Sequence, residues 1–179
     1  MPASASSFKT VSVRAADSPK NDKPLAVTSS SLADGQTIGM DFVFTGCGGK
    51  NQSPQLSWSG APAGTKSFAI TCFDPDAPTG SGYWHWLAFD IPASVGRVDA
   101  GAGTDRSPGG GTGRNDFGVS AYCGPCPPKG DHPHRYIFTV YALDIDSLGA
   151  DDTASGATTM FMMRGHILAQ GSITGSFGH

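Results

Sequence analysis

Glutamate is missing from this sequence altogether: all 15 of its acidic side chains are Asp. Glu favours helix interiors, whereas Asp bonds to nearby backbone and prefers caps and turns, so the acidic inventory argues against long helices. Positive charge is also scarce. The 12 Lys and Arg leave a net charge of -3, which excludes the basic stripe by which a nucleic-acid protein neutralises phosphates. Long hydrophobic runs are absent as well. The apolar stretches reach six to eight residues and are interrupted by Thr, Asp or His, far short of the roughly 20 needed to cross a bilayer. No internal repeat and no heptad pattern occurs. The nucleophile elbow GxSxG is missing, and Gly109-Gly110-Gly111-Thr112-Gly113-Arg114 lacks the GxxxxGK[ST] form of a phosphate loop, so it reads as a surface loop. Met1 to Asp17 has no continuous apolar core of the secretory type. That favours a cytoplasmic location, with a periplasmic or secreted one if a signal has been removed.

What is plentiful are residues that interrupt regular structure, with 25 Gly and 13 Pro among 179 residues. Together with 38% hydrophobic content, this predicts one mainly β domain with a real core, over residues 25–179. Residues 1–24 are Ser, Ala, Lys and Asp with scattered apolar positions, a composition that buries too little to offset ordering entropy, and they read as a flexible arm. Ile38, Met40, Phe42 and Phe44 alternate with smaller or polar neighbours and predict a strand near 38–45. Ser67 to Phe73, His85 to Ile91 and Tyr136 to Leu143 are apolar, β-branched and aromatic runs that predict interior strands. Met160, Met163, Ile167 and Leu168 fall on one helical face behind Thr158 or Thr159 as cap, predicting a helix at about 158–170. Three long loops rich in Gly, Pro and Asp separate these elements, over 74–82, 101–118 and 123–133.

Candidate chemistry sits where those loops meet the strands. Asp74-Pro75-Asp76-Ala77-Pro78 follows a predicted buried strand, so prolines fix two carboxylates at its end. Asp74 either orients a neighbouring imidazole or merely closes an Asx turn. Trp84-His85-Trp86 opens the next strand, and strict alternation sends both indoles to the face opposite His85. His134 and Tyr136, delivered by a Pro/Gly loop, share one face of the last predicted strand. Two imidazoles, a phenol and backbone N–H groups would line a concave site suited to an anion such as phosphate. Cys123-Gly124-Pro125-Cys126 spells a CxxC dithiol, yet Pro127 and Pro128 forbid the helix such redox sites require. The four cysteines allow two disulfides, one or none. No ligand pair has zinc-type spacing, so no metal is expected.

Taken in order, the Asp74–Pro78 stretch, Trp84-His85-Trp86, Gly113-Arg114-Asn115-Asp116-Phe117-Gly118, Gly124-Pro125-Cys126-Pro127-Pro128 and His134-Arg135-Tyr136 resemble the phosphatidylethanolamine-binding protein family, and within it the bacterial Raf-kinase-inhibitor-like branch. Gly49 to Trp58 and Gly165 to Ala169 extend the resemblance over Leu25 to Phe177. It implies a large antiparallel sheet packed with a smaller one, and peripheral helices including one near the C-terminus. It also implies a non-catalytic module without cofactor that binds phosphate-like groups, phospholipid headgroups among them, that regulates a kinase or protease through a phosphorylated partner, and that forms homodimers. The matching pocket positions are Asp74, Asp76, Ala77, Pro78, His85, Tyr122, Cys126, Pro127, Pro128, His134 and Tyr136. Cys126 stands where some relatives have Gly, which would narrow the mouth or add a thiol. A hydrolase using Asp74 or Asp76 with His85 is the alternative from another class, and a Cys123–Cys126 redox pair a third.

Overall fold

A computed structural model describes residues 23–105 and 108–179; residues 1–22 of the expected arm lie outside them. The three predicted interior strands form β3 (Ser67–Asp74), β4 (Tyr83–Pro92) and β7 (His134–Leu143). With β6 (Gly111–Thr112) and β8 (Ile167–Phe177) at the edges they make a five-stranded antiparallel sheet in the order β6-β4-β3-β7-β8. A three-stranded antiparallel sheet, β1 (Ala26–Thr28), β2 (Leu56–Ser59) and β5 (Arg97–Val98), lies in the order β1-β2-β5. The fold is therefore mainly β, with a large and a small sheet, as the resemblance implies.

Period two decides which side chains meet. Ile70, Cys72, Trp86, Tyr136, Phe138, Val140 and Ile173 from the large sheet join Leu56, Trp58 and Val98 from the small one in a single buried cluster. Ala69, Phe89, Tyr141 and Leu143 form a second cluster with Met163 of α2 (Gly156–Met163), the helix that follows the short α1 (Ala102–Asp105). Each large side chain fully buried this way contributes on the order of 1.5–3 kcal/mol relative to exposure.

Two predicted elements are corrected. Residues 38–45 form turns rather than a strand: Phe42 N–H donates to Gly39 C=O at 3.0 Å, and a 3-10 turn over Thr45–Cys47 follows. The glycines on either side favour such turns. Ile38 and Val43 are buried while Met40 is exposed, which breaks the alternation. The predicted helix over 158–170 runs only from 156 to 163, capped by Ser155, whose side chain accepts from Thr158 N–H. Gly165, at φ 82°, ends that run of backbone, and from Ile167 the chain becomes β8, paired with β7 along its length. Its alternation, Ile167, Ala169, Gly171, Ile173, Gly175 and Phe177 buried, is strand periodicity.

The small sheet approaches β8 at Gly171. Leu25 N–H donates to Gln170 C=O at 3.0 Å, and a Cβ on Gly171 would lie 2.2 Å from Leu25 C=O, a backbone atom with little freedom to yield. Gly171→Ala is expected to cost about 1–3 kcal/mol of stability, read as a lower urea midpoint at unchanged denaturant slope, because the overpacked backbone must shift.

Candidate functional site

The ends of β3, β4 and β7 open onto one cavity of about 230 Å³. Its floor is set by a β-bulge. In the β3–β4 ladder Trp86 pairs with Cys72 and Trp84 with Phe73, so His85 is the extra, unpaired residue. The two indoles consequently face opposite ways. Trp84 packs on Phe73 at 4.4 Å, close against Gly156 of α2, whereas Trp86 joins the inter-sheet core beside Tyr122. The expectation that both would oppose His85 is corrected, because the bulge breaks strict alternation.

β3 supplies Asp74, which is buried and uses both carboxylate oxygens. Oδ1 accepts from Asp76 N–H at 2.8 Å and Ala77 N–H at 3.1 Å, and Oδ2 accepts from His134 Nδ1 at 2.8 Å. The Asx turn and the held imidazole, alternatives in the sequence, coexist. A carboxylate only accepts, so His134 Nδ1 carries the hydrogen. Its other nitrogen, Nε2, is buried without a hydrogen-bond partner; the Asp131 carboxylate, at 3.4 Å, does not satisfy it. Tyr136, two residues along β7, also places a buried hydroxyl without a partner beside the cavity, and burial pushes that phenol far above its ordinary pKa.

His85 donates through Nδ1 to Cys123 C=O at 2.7 Å; a carbonyl only accepts, so this nitrogen too carries hydrogen. Its ring packs edge-on to Tyr83, Phe117 and Tyr136. Burial, the largest influence, lowers its pKa below the ordinary 6.5.

Two Asn residues brace the surrounding loops. Buried Asn115 donates to Ala121 C=O at 2.8 Å and His85 C=O at 3.3 Å while accepting from Val119 N–H. Asn51, at φ 55°, accepts from Gly124 N–H at 2.7 Å and donates to Tyr122 C=O. A Cβ on Gly124 would meet Phe42 C=O at 2.1 Å, so only glycine fits there.

Of the residues singled out in the sequence, Asp74, Ala77, Pro78, His85, Cys126, Pro127, Pro128, His134 and Tyr136 border the cavity. Asp76 and Tyr122 stand behind it. Asp76 clamps Arg135 through Nε at 2.8 Å and Nη2 at 2.7 Å, and the guanidinium holds its carboxyl far below the usual range. Tyr122 donates its hydroxyl to Phe42 C=O at 2.8 Å inside the core. Thr79, Tyr83 and Phe117 also line the cavity and were missed. Tyr83 shares the face of His85 by simple alternation, so a signal for it existed. The CxxC reading is corrected: Cys126 bonds to Cys47, while Cys72 and Cys123 are free and buried. The extra thiol at the mouth is thus consumed in a disulfide. The acid–base pairing of the hydrolase alternative is also reassigned, since Asp74 holds His134 and Asp76 holds Arg135.

Comparison with known proteins identifies close relatives. The family model described as phosphatidylethanolamine-binding protein matches residues 28–178. The UPF0098 protein YbcL of Escherichia coli is 49% identical over 154 residues, covering 83% of this chain and 84% of that protein. YbhB of the same organism is 48% identical over 158 residues, covering 86% of this chain and 99% of its own. The crystal structure of E. coli YbcL superposes with a TM-score of 0.84, covering 88% of this chain and 99% of that one.

The His85 ring should titrate by NMR with a midpoint below 6.5. Its folded-state pKa is the lower one, so its contribution to stability is present above pH 6.5 and declines as pH falls through the folded midpoint. A midpoint at or above 6.5 would contradict the buried, neutral imidazole.

Proposed function

The chain belongs to the phosphatidylethanolamine-binding protein family, in its bacterial YbcL/YbhB branch, and from that premise we propose that its cavity binds the phosphoryl group of a small headgroup without chemically converting it. The observation that carries this reading is the pair of buried polar atoms without partners, His134 Nε2 and Tyr136 Oη, at one cavity wall. Leaving such atoms unpaired costs free energy that a ligand hydrogen-bonded to both offsets. At about 230 Å³ the cavity is smaller than the usual pocket for a drug-sized ligand, which suits a headgroup whose acyl chains stay outside. Thr79, the one alkyl hydroxyl among the lining residues, donates to Gly82 C=O. A binding role follows more directly from this wall than ester hydrolysis does.

The disulfide supports a location. Cys47 and Cys126 are joined although they lie 79 positions apart, and such bonds persist in oxidising compartments. We therefore favour the periplasmic or secreted alternative over the cytoplasm. Protein alkylated under denaturing conditions at lysis should carry two alkylated cysteines per chain, Cys72 and Cys123; four would return it to a reducing compartment.

Glycerophosphoethanolamine should shift the His85 and His134 ring resonances saturably. His85→Ala and His134→Ala should each weaken binding more than about tenfold, the loss expected when a hydrogen bond to a charged group is removed. Tyr136→Phe, which deletes only one oxygen, should weaken it about 2- to 10-fold with the fold intact. Unchanged affinity in all three variants would sink the assignment. A phosphotyrosine peptide that binds more tightly than the headgroup would instead point to a phosphorylated protein as the ligand.

A further inference from the structure

A phosphoryl site usually matches its ligand with fixed positive charge, from Arg or Lys, or with a helix N-terminus. This cavity has none of these among its lining residues, whose only formal charge at neutral pH outside the imidazoles is the Asp74 carboxylate. The nearest candidates are engaged or turned outward: Arg135 is clamped by Asp76, and Lys129, next to the lining Pro128, is exposed.

The imidazoles do not supply that charge in their neutral forms. Each already commits its Nδ1–H, His85 to Cys123 C=O and His134 to the Asp74 carboxylate. The nitrogen remaining on each ring, Nε2, is then a lone pair, and a lone pair repels an anionic oxygen. It becomes a donor only with a second proton on the ring, or it accepts a P–OH. Both solutions add the same particle.

The surroundings of each ring make that proton welcome once an anion is present. His134 is faced by Asp74 from β3, by Asp131 and His132 from its own loop, and by Phe177 from β8. His85 is faced by Tyr83, Phe117 and Tyr136, and it feels the charges of Asp74 and Asp116. Every fixed charge in this set is negative. A phosphoryl dianion entering alone would meet the Asp74 carboxylate with nothing to neutralise both.

We propose, resting on the phosphoryl reading of the cavity, that it binds its ligand together with one proton, held between a phosphoryl oxygen and an imidazole Nε2. The ligand class is thereby narrowed to a tetrahedral phosphoryl group in a complex that gains one positive charge on formation. Protons balance simply: anion, protein and one proton from the buffer form the complex, and release returns that proton.

Methyl phosphate is the probe, since it has no ammonium group and its second pKa is about 6, leaving it a dianion at pH 7.5. Calorimetric titration at that pH, in buffers of large and small ionisation enthalpy, should give uptake of about one proton per ligand bound. The Kd should weaken roughly tenfold per pH unit between pH 7.5 and 8.5, as one linked proton requires. In the saturated protein the linked proton, whether on an imidazole ring or on the phosphoryl group, should come off only above about pH 8.5, at least about two units higher than in the free species. Saturable binding with no proton uptake and a flat Kd would overturn the proposal while leaving the phosphoryl site standing. Failure to bind methyl phosphate at any pH from 5.5 to 8.5, in protein that keeps its native fold, would overturn both.

Discussion

The carboxylate of Asp74 is the group on which the site is assembled. It stands at the last position of β3, where the strand gives way to a proline-rich loop, and divides its two oxygens between them. One gathers the loop by accepting from the amides of Asp76 and Ala77; the other holds His134 at the start of β7. The next carboxylate acts one residue further along the partner strand, where Asp76 takes both the amide and the guanidinium of Arg135. Pro75, between them, restricts the loop so that two acids spaced by one residue meet two consecutive residues of β7. The lining of the cavity by Ala77 and Pro78 on one side and His134 and Tyr136 on the other depends on this cross-link.

Around that centre, polar side chains hold backbone that no sheet pairs. Asn115 and Asn51 each bond to loop amides and carbonyls that no strand pairs. The disulfide adds a covalent tie between the turn at Cys47 and the wall at Cys126, and His179 rests against it, with Nε2 at 3.4 Å from Cys47 Sγ and 3.1 Å from Pro127 C=O. The wall is built from three distant parts of the chain.

That distance explains what the sequence could and could not reveal. β3, β4 and β7 were legible because a strand buried on both faces needs continuous apolar residues, and each has them. The cavity residues at their mouths followed from period two, which places His134 with Tyr136. Residues 158–170 were misread because two periods overlap there: methionines at helical spacing run into the alternation of β8, and the switch lies in the backbone angle of Gly165. The bulge at His85 was invisible, since it exists only in relation to the partner strand. Tyr122 looked like a cavity residue by its motif, but its hydroxyl reaches Phe42, 80 positions away. The pairing of Cys47 with Cys126 over the nearer Cys123 is a matter of tertiary placement that spacing does not encode.

The connectivity of that disulfide divides the molecule into unlike mechanical parts. Residues 47 to 126 form a closed covalent ring that contains β2, β3, β4, β5 and β6, whereas β7 and β8 lie on the chain beyond it. The ring therefore owns Asp74 and His85, and the paired strands β7 and β8 own His134 and Tyr136. The pocket thus lies on the seam where β3 meets β7, between a covalently closed body and strands that lie outside the closure. A ligand seated there acts as a rivet across that seam, joining the cyclised body to the strands beyond it.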